Sequence, residues 1–303
     1  ADTIIIQEVT IVNGDQITIH QSAEIGADIR PAGLDFSAGD TLLSAGKRLT
    51  ARDMGLAASM NVPWLKVRRR PKVAVLATGD ELVMPGDSKR FDQIISSNSI
   101  AVGAYVRVLG GEPIDLGIAR DTPGSFRQAL AGGENADILV TIGGASVGDF
   151  DLVRKVLGED GLDINFYKIA MRPGKPLIFG HLRDIAVLGL PGNPVSAGVT
   201  SVIFLRAAVA AMLGLDHQAL PDMTRARLGC DLKANGLRQD YMRASLACSD
   251  DGSLLATPFR HQDSAMMALF AQADCLVVRP PKAPAAKAGE TIEILRLDQG
   301  WGF

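Results

Sequence analysis

Cysteine is scarce in this 303-residue chain: Cys230, Cys248 and Cys275 are the only three, and no C-x-x-C occurs. An odd count without metal-ligand spacing argues against a disulfide framework and a zinc ribbon, and the default setting is a reduced cytoplasm. Aromatic residues make up only 5% of the chain, too few for the stacking platforms that hold single-stranded nucleic acid. Neither sign of charge dominates. A net charge of -3 gives no general attraction to nucleic acid or acidic membranes, so neither is expected as a partner. The longest apolar run, Val195–Leu213, is broken by Arg206 and several small residues. It is short for a membrane span and reads as a buried helix. Walker A, G-x-G-x-x-G and H-E-x-x-H patterns are all missing, and His20, His181, His217 and His261 are isolated. An ordinary P-loop NTPase, a Rossmann dehydrogenase and a zincin are thereby disfavoured.

What is present has the balance of a soluble globular protein, with 47% hydrophobic and 21% charged residues. The length allows two or three domains. The chain opens abruptly in ADTIIIQEVTIV, without signal peptide or initiator Met, as the cut edge of a longer chain would. Residues 1–71 form a β-rich N-terminal segment. Strands are expected at Ile4–Ile6, Thr10–Val12 and Ile17–Ile19, with a hairpin turn at Asn13-Gly14-Asp15. A helix over Leu49–Met60 follows, with Thr50 as N-cap. Residues 72–217 alternate strand and helix. Strands are expected at Val73–Ala77, Ile114–Ala119, Ile138–Ile142, Ile164–Ala170, Leu177–Phe179 and Ile185–Leu188. Helices are expected at Asn98–Leu109 (capped by Asn98 or Ser99), Asp121–Leu130, Leu152–Leu157 and Val195–Leu213. That alternation defines an α/β fold, a mostly parallel sheet with helices on both faces. Residues 218–303 read as short strands, a small all-β, barrel-like C-terminal domain.

Four motifs in the middle domain carry the chemistry. TGDEL (Thr78–Leu82) follows the first strand. Its Asp80 and Glu81 either offer oxygens to magnesium, a hard cation, or form an acidic turn that caps a helix. GGASVGDFD (Gly143–Asp151) has three glycines in its first six residues, and its backbone N–H groups suit phosphate. Asp149 and Asp151 lie beside them; the alternative is a flexible loop with Asp149 as N-cap. RPGKP (Arg172–Pro176) sets two cations on a backbone stiffened by two prolines, with Lys168 just upstream. A solvated turn is the plainer reading. LPGNPVSA (Leu190–Ala197) runs into a helix whose N-terminus favours an anion, or is merely capped by Ser196. Asp121 in RDTPG is first of all a capping residue. TGDEL, RDTPG and GGASVGDFD fall at the carboxyl ends of strands, where ligands of open α/β sheets bind.

In this order, VAVLATGDEL, ISSNS, GIARD, GGASVGDFD, RPGKP and LPGNPVSA resemble the molybdopterin molybdotransferase family, the bacterial MoeA proteins and the gephyrin E domain. The resemblance is strongest over Val73–Ala197 and reaches back to IRPAGLD at Ile29–Asp35. It implies an enzyme of molybdenum cofactor biosynthesis, a cytoplasmic homodimer that works with molybdopterin adenylyltransferase. Such an enzyme inserts molybdenum from molybdate into adenylylated molybdopterin and releases AMP, with magnesium or a similar divalent ion. By motif position, Glu81, Asp121 and Asp151 look like the acidic residues around metal and phosphate, with Asp35 as a further family acid. Lys168, Arg172 and Lys175 look like a cationic wall. Gly143, Gly144, Ser146, Gly148 and Asp149 look like the phosphate loop. Ser196, Arg243 (DYMRA) and Ser264 (HQDS) look like contacts reaching toward the oxyanion. Two departures stand out: Leu34 replaces the family's common Glu, and the family carries roughly a hundred more residues before this start. A gephyrin-like scaffold and a pterin-adenylylating enzyme are the alternatives; the SVGD continuation of the glycine loop speaks against the latter.

Overall fold

The computed structural model describes residues 1–143, 150–215, 223–249 and 251–297, without the side chains of Phe150, Asp151, Leu152 and Arg154. The chain divides into a unit of residues 1–45 and a unit of residues 46–303. In the first, β1 (Thr10–Asn13) and β2 (Gln16–Ile19) form the expected antiparallel hairpin, turning through Gly14 at φ 60°. Ile4–Ile6 is not a strand. The Ile4 N–H donates to the Ala27 carbonyl in a loop (3.1 Å), so its β-prone composition has no ladder to join.

The second unit starts with α1 (Ala51–Ser59), closed by a capping box. Thr50 Oγ1 accepts from the Asp53 N–H, and the Asp53 carboxylate accepts from the Thr50 N–H at 2.8 Å. Next come β3 (Lys72–Thr78), β4 (Leu82–Val83), β5 (Ile94–Ile95), α2 (Asn98–Val108), β6 (Glu112–Ala119), α3 (Pro123–Leu130), β7 (Ile138–Ile142) and α4 (Phe150–Glu159). The unit continues with β8 (Leu162–Tyr167), β9 (Met171–Arg172), β10 (Ile178–Leu182), β11 (Ile185–Leu190) and α5 (Pro194–Met212). Six of these strands form one sheet in the order β6-β3-β7-β11-β10-β8. The pairings among the first four are parallel, and β10 and β8 add an antiparallel edge.

Residues of β3 alternate between the two faces, as a strand buried on both sides must. Val73 and Val75 pack with Val102 and Val106 of α2 and Leu205 and Val209 of α5. Ala74 and Leu76 pack on the other face with Phe126 of α3 and Val153, Val156 and Leu157 of α4. Each such buried side chain contributes about 1.5–3 kcal/mol.

Helix α5 is long and apolar enough to cross a membrane by length and composition, but two thirds of it (67%) is buried inside the fold. It contains a wider π turn over Ser201–Leu205. One side packs on the sheet and the other on the C-terminal barrel, where Val195, Val199 and Val202 meet Phe270, Leu276, Val278 and Leu295. Gly198 makes that approach possible, because a Cβ there would lie 2.2 Å from the Phe270 ring.

The barrel comprises β12 (Met223–Leu228), β13 (Gln239–Cys248), β14 (Leu254–Pro258), α6 (Met267–Ala271), β15 (Cys275–Arg279) and β16 (Thr291–Arg296). Its five strands close in the order β14-β12-β16-β15-β13, with β13 returning to β14. Strand β9 adds in parallel to β13, so the RPGKP segment is hydrogen-bonded to the barrel rather than to the α/β sheet.

Candidate active site

Strands β3, β7 and β11 end side by side, and a cavity of about 350 Å³ opens over their carboxyl ends. Its floor is a close backbone approach. Gly143 holds φ +98°, and a Cβ there would sit 2.6 Å from the Thr78 carbonyl oxygen. A Cβ on Gly192 would lie 3.3 Å from Gly143 Cα. Only glycine allows the three strand ends to meet in this way.

Two helices start at the cavity wall. Ser96, Ser97 and Asn98 enter α2, and Asn193, Pro194 and Ser196 enter α5. Neither N-terminus carries a side-chain cap, whereas α1 and α3 are capped by Thr50 and Thr122. Uncapped first-turn N–H groups and the positive helix end make such positions favourable to an anion. The expected caps Asn98 and Ser99 do not serve; the N-cap position is Ser97. The Asn98 side-chain amide instead donates to the Gly192 carbonyl at 2.6 Å, tying the two helix starts together. Beside them the Thr78 hydroxyl is buried without a hydrogen-bond partner. A buried, unpaired hydroxyl is costly, and this one lies on the cavity lining.

The opposite wall is mixed. Glu81 lines the cavity together with Leu82, Ile94 and Ile95, the latter two presented by the short parallel pair β4–β5. The loop before Glu81 is locked to the RDTPG loop. The Asp80 N–H donates to the Asp121 carboxylate and the Asp121 N–H to the Asp80 carboxylate, each at 3.2 Å. Arg120 donates to the Asp80 carbonyl at 3.0 Å. Asp121 is not the expected cap: Thr122 caps α3, and Asp121 instead brackets the TGDEL turn.

The barrel also reaches this rim. Asn193 Nδ2 donates to Ser264 Oγ at 3.0 Å, and the Val195 N–H donates to the Ser264 carbonyl at 3.0 Å. Ser264 is therefore bonded to the helix start that also carries Ser196. The RPGKP loop is closed at its base, with the Lys168 N–H on Leu177 O and the Ile169 N–H on Lys175 O, both 3.0 Å. Its last residue, Pro176, lines the cavity. Lys168 takes a left-handed φ of 65° and sets its Nζ 4.5 Å from the Tyr167 ring centroid.

Two expected cations are placed differently. Arg172 is ion-paired with the buried Asp240 of β13, so its charge is already matched. Arg243 is 1% exposed, and its guanidinium donates to Gln262 and to the His261 and Met266 carbonyls. It does not reach outward; burial instead lowers its pKa from the ordinary guanidinium value. The reason is topological: Met242 and Ala244 face the barrel core, so residue 243 lies on the outer face of β13, covered by the loop that follows β14. Gly144, Ser146, Gly148 and Asp149 lie outside the described residues, as does the Asp151 side chain, although Asp151 itself falls in the first turn of α4. Asp35 is exposed on the N-terminal unit. Among the described residues no cluster of three His, Cys, Asp or Glu side chains is assembled for a metal.

Sequence reasoning missed Thr78, Asn98, Asn193, Ile94 and Ile95. The polar run ISSNS immediately before α2 was the available signal for Asn98. Nothing local marks the Thr78 hydroxyl, because its burial depends on Gly143, 65 positions on.

An open α/β sheet with a cavity at its strand ends, rimmed by helix starts without side-chain caps and joined by a barrel loop, is an arrangement suited to an anionic ligand. The sequence matches a probable molybdopterin binding domain over residues 74–211, the MoeA C-terminal region (domain IV) over 225–297 and the MoeA N-terminal region (domain I and II) over 1–61. A molybdopterin molybdenumtransferase of Haemophilus influenzae is 35% identical over 295 residues, 97% of this chain and 73% of that protein. One from Bacillus subtilis is 30% identical over 302 residues, 98% and 70%. The crystal structure of a MoeA protein from Pyrococcus horikosii superposes with a TM-score of 0.80 at 30% identity, covering 97% of this chain and 72% of that one. The chain belongs to the molybdopterin molybdenumtransferase family.

Proposed function

We infer that this chain is a molybdenum-inserting transferase of molybdenum cofactor biosynthesis, with molybdopterin and molybdate as its substrates, and that the cavity over β3, β7 and β11 is where it works. The observation that carries the placement is the convergence of two uncapped helix starts on a glycine floor. Both substrates are anions, and backbone N–H donors on rigid elements suit them. A scaffold or a pterin-adenylylating role is not favoured, since relatives matched over nearly the whole chain bear the transferase name.

In the finer reading the pterin arrives adenylylated, and AMP leaves as molybdenum enters the dithiolene. The first-turn N–H groups of α2 and the Ser196 N–H of α5, with the Gly143–Asp149 loop, hold phosphoryl oxygens. Lys168 and Lys175 attract molybdate, and Ser196 and Ser264 orient it by hydrogen bonding. Leu82, Ile94 and Ile95 offer the apolar side that a heteroaromatic ring needs. Arg172, already paired with Asp240, holds the cationic loop on the barrel more than it binds substrate. Arg243 acts beneath the loop that follows β14.

Glu81, Asp121 and Asp151 are the oxygen donors that would hold magnesium, which suits hard carboxylate ligands. Glu81 lines the cavity and Asp121 sits on the adjoining locked loop. When bound, the ion would supply charge neutralisation at the phosphoanhydride. The protein acts as a cytoplasmic homodimer and receives its substrate from a molybdopterin adenylyltransferase, in this reading.

Incubation with adenylylated molybdopterin, magnesium and molybdate tests the assignment. AMP release that rises with molybdate supports it. No release at saturating molybdate rejects it.

A further inference from the structure

Gln262 stands out because one side-chain amide uses its full hydrogen-bonding capacity. Its Oε1 accepts from the Arg243 N–H at 2.9 Å and from Arg243 Nε at 3.3 Å. Its Nε2 donates to the Arg243 carbonyl at 2.9 Å and to the Phe259 carbonyl at 2.8 Å. An amide placed in this way imitates a strand: it pairs with both backbone groups of Arg243 at the point where β14 has ended and the chain leaves the barrel. Arg243 completes the clamp by donating to the carbonyls of His261 (3.3 Å) and Met266 (3.2 Å). The loop between Phe259 and Met266 is thus held at both ends against the outer face of β13.

The middle of that loop is Ser264, whose hydroxyl meets Asn193 and whose carbonyl takes the Val195 N–H. That bond satisfies one of the orphan donors of helix α5. We propose that Gln262 is a positioning residue for the reaction: through the Arg243 clamp it holds Ser264 on the Asn193–Val195 helix start, and so fixes the barrel's contribution to the rim of the cavity. The functional part of this proposal rests on the assignment of that cavity as the site of molybdenum insertion; the clamp itself does not. Arg243, buried beneath this loop, then acts through Ser264 rather than by touching substrate.

Amide hydrogen exchange and AMP release together decide it, using the full chain. In Gln262→Ala the Val195 amide should exchange at least tenfold faster, while amides of β15 keep their protection. Gln262→Glu retains the acceptor for Arg243 but cannot donate to the Arg243 and Phe259 carbonyls, so its Val195 exchange should fall between. It also serves if the alanine variant fails to fold. In AMP release, Ser264→Ala and Gln262→Ala should raise the apparent KM for molybdate by similar factors, and the double variant should be no worse than Ser264→Ala, since coupled residues do not add. Unchanged Val195 protection in both Gln262 variants overturns the clamp. Multiplying effects in the double variant overturn its action through Ser264. Absence of AMP release from the unsubstituted chain counts against the proposed function instead, and the Val195 exchange still decides the clamp.

Discussion

Replacing Gly143 with alanine probes the floor of the cavity through two separable costs. The residue sits at φ +98°, where an L side chain costs about 1–2 kcal/mol. The new methyl would also lie 2.6 Å from the Thr78 carbonyl oxygen, and 3.2 Å from its hydroxyl, in a strand end buried on both faces. Backbone cannot swing aside as a long side chain can, so this overlap adds about 1–3 kcal/mol. The lower chain entropy of alanine returns about 0.4–1 kcal/mol. The net destabilisation is about 1–4.6 kcal/mol, a fall in melting temperature of about 2–18 °C. Gly158 in helix α4 provides the control: it has ordinary φ, and nothing lies within 4 Å of a Cβ built there. Gly158→Ala should raise the melting temperature by about 1–4 °C. Thermal denaturation followed by circular dichroism measures both, and AMP release shows whether the distorted floor still turns over. A Gly143→Ala protein that melts within about 1 °C of the parent and keeps its turnover refutes the argument that the strand ends meet at contact distance.

Other perturbations test other joints of the molecule. Gly198→Ala places a methyl 2.2 Å from the Phe270 ring and should destabilise the helix–barrel contact by about 1–3 kcal/mol, read from the denaturant midpoint. Thr50→Ala removes the cap of α1 and should cost about 1 kcal/mol. Asp53, first through its bond from Lys47 and then through the Thr50 backbone, has its pKa lowered from 3.8 to about 2. A lowered carboxyl pKa contributes stability above the unfolded value that is lost as pH falls toward the folded one. Protection of the α1 amides should therefore hold down to about pH 4 and decline toward pH 2, and a flat profile across that window contradicts the capping role. Asp151→Asn should nearly abolish AMP release while the melting temperature stays put; full turnover would remove Asp151 from the site. Lys175→Ala should weaken molybdate binding in a calorimetric titration, and an unchanged isotherm would reject its place in the cationic wall.

Much of the fold was legible because its elements obey local rules. The Val/Ala/Leu run of β3 announces a strand buried on both faces, Thr50 and the Asp121-Thr122-Pro123 run announce helix starts, and Asn13-Gly14-Asp15 announces a turn. The long apolar helix was also visible, and Arg206 within it argued for burial in protein. What local pattern could not give is partnership. Ile4–Ile6 has strand composition but no ladder. Arg172 reads as the start of a cationic turn, yet Met171 and Arg172 pair with the barrel at Gln239 and Asp240. Arg172 and Arg243 look like free cations in sequence; their matches, Asp240 and the Gln262 clamp, are 68 and 19 positions away. Motif pointed to Gly143, Glu81 and Ser196, which line the cavity, and to Ser264, which bonds to Asn193. Thr78, Asn98 and Asn193 were not, because their significance comes from three strand ends and two helix starts meeting in space.

The most direct measurement is a crystal structure of the protein soaked with AMP. The account predicts the nucleotide in the cavity between Thr78, Gly143 and Asn193, its phosphate within hydrogen-bonding distance of first-turn N–H groups of α2 or α5 and its ring against Ile94 or Ile95. Nucleotide bound only elsewhere, for example in the 830 Å³ cleft beside Arg127 and Arg183, would contradict it.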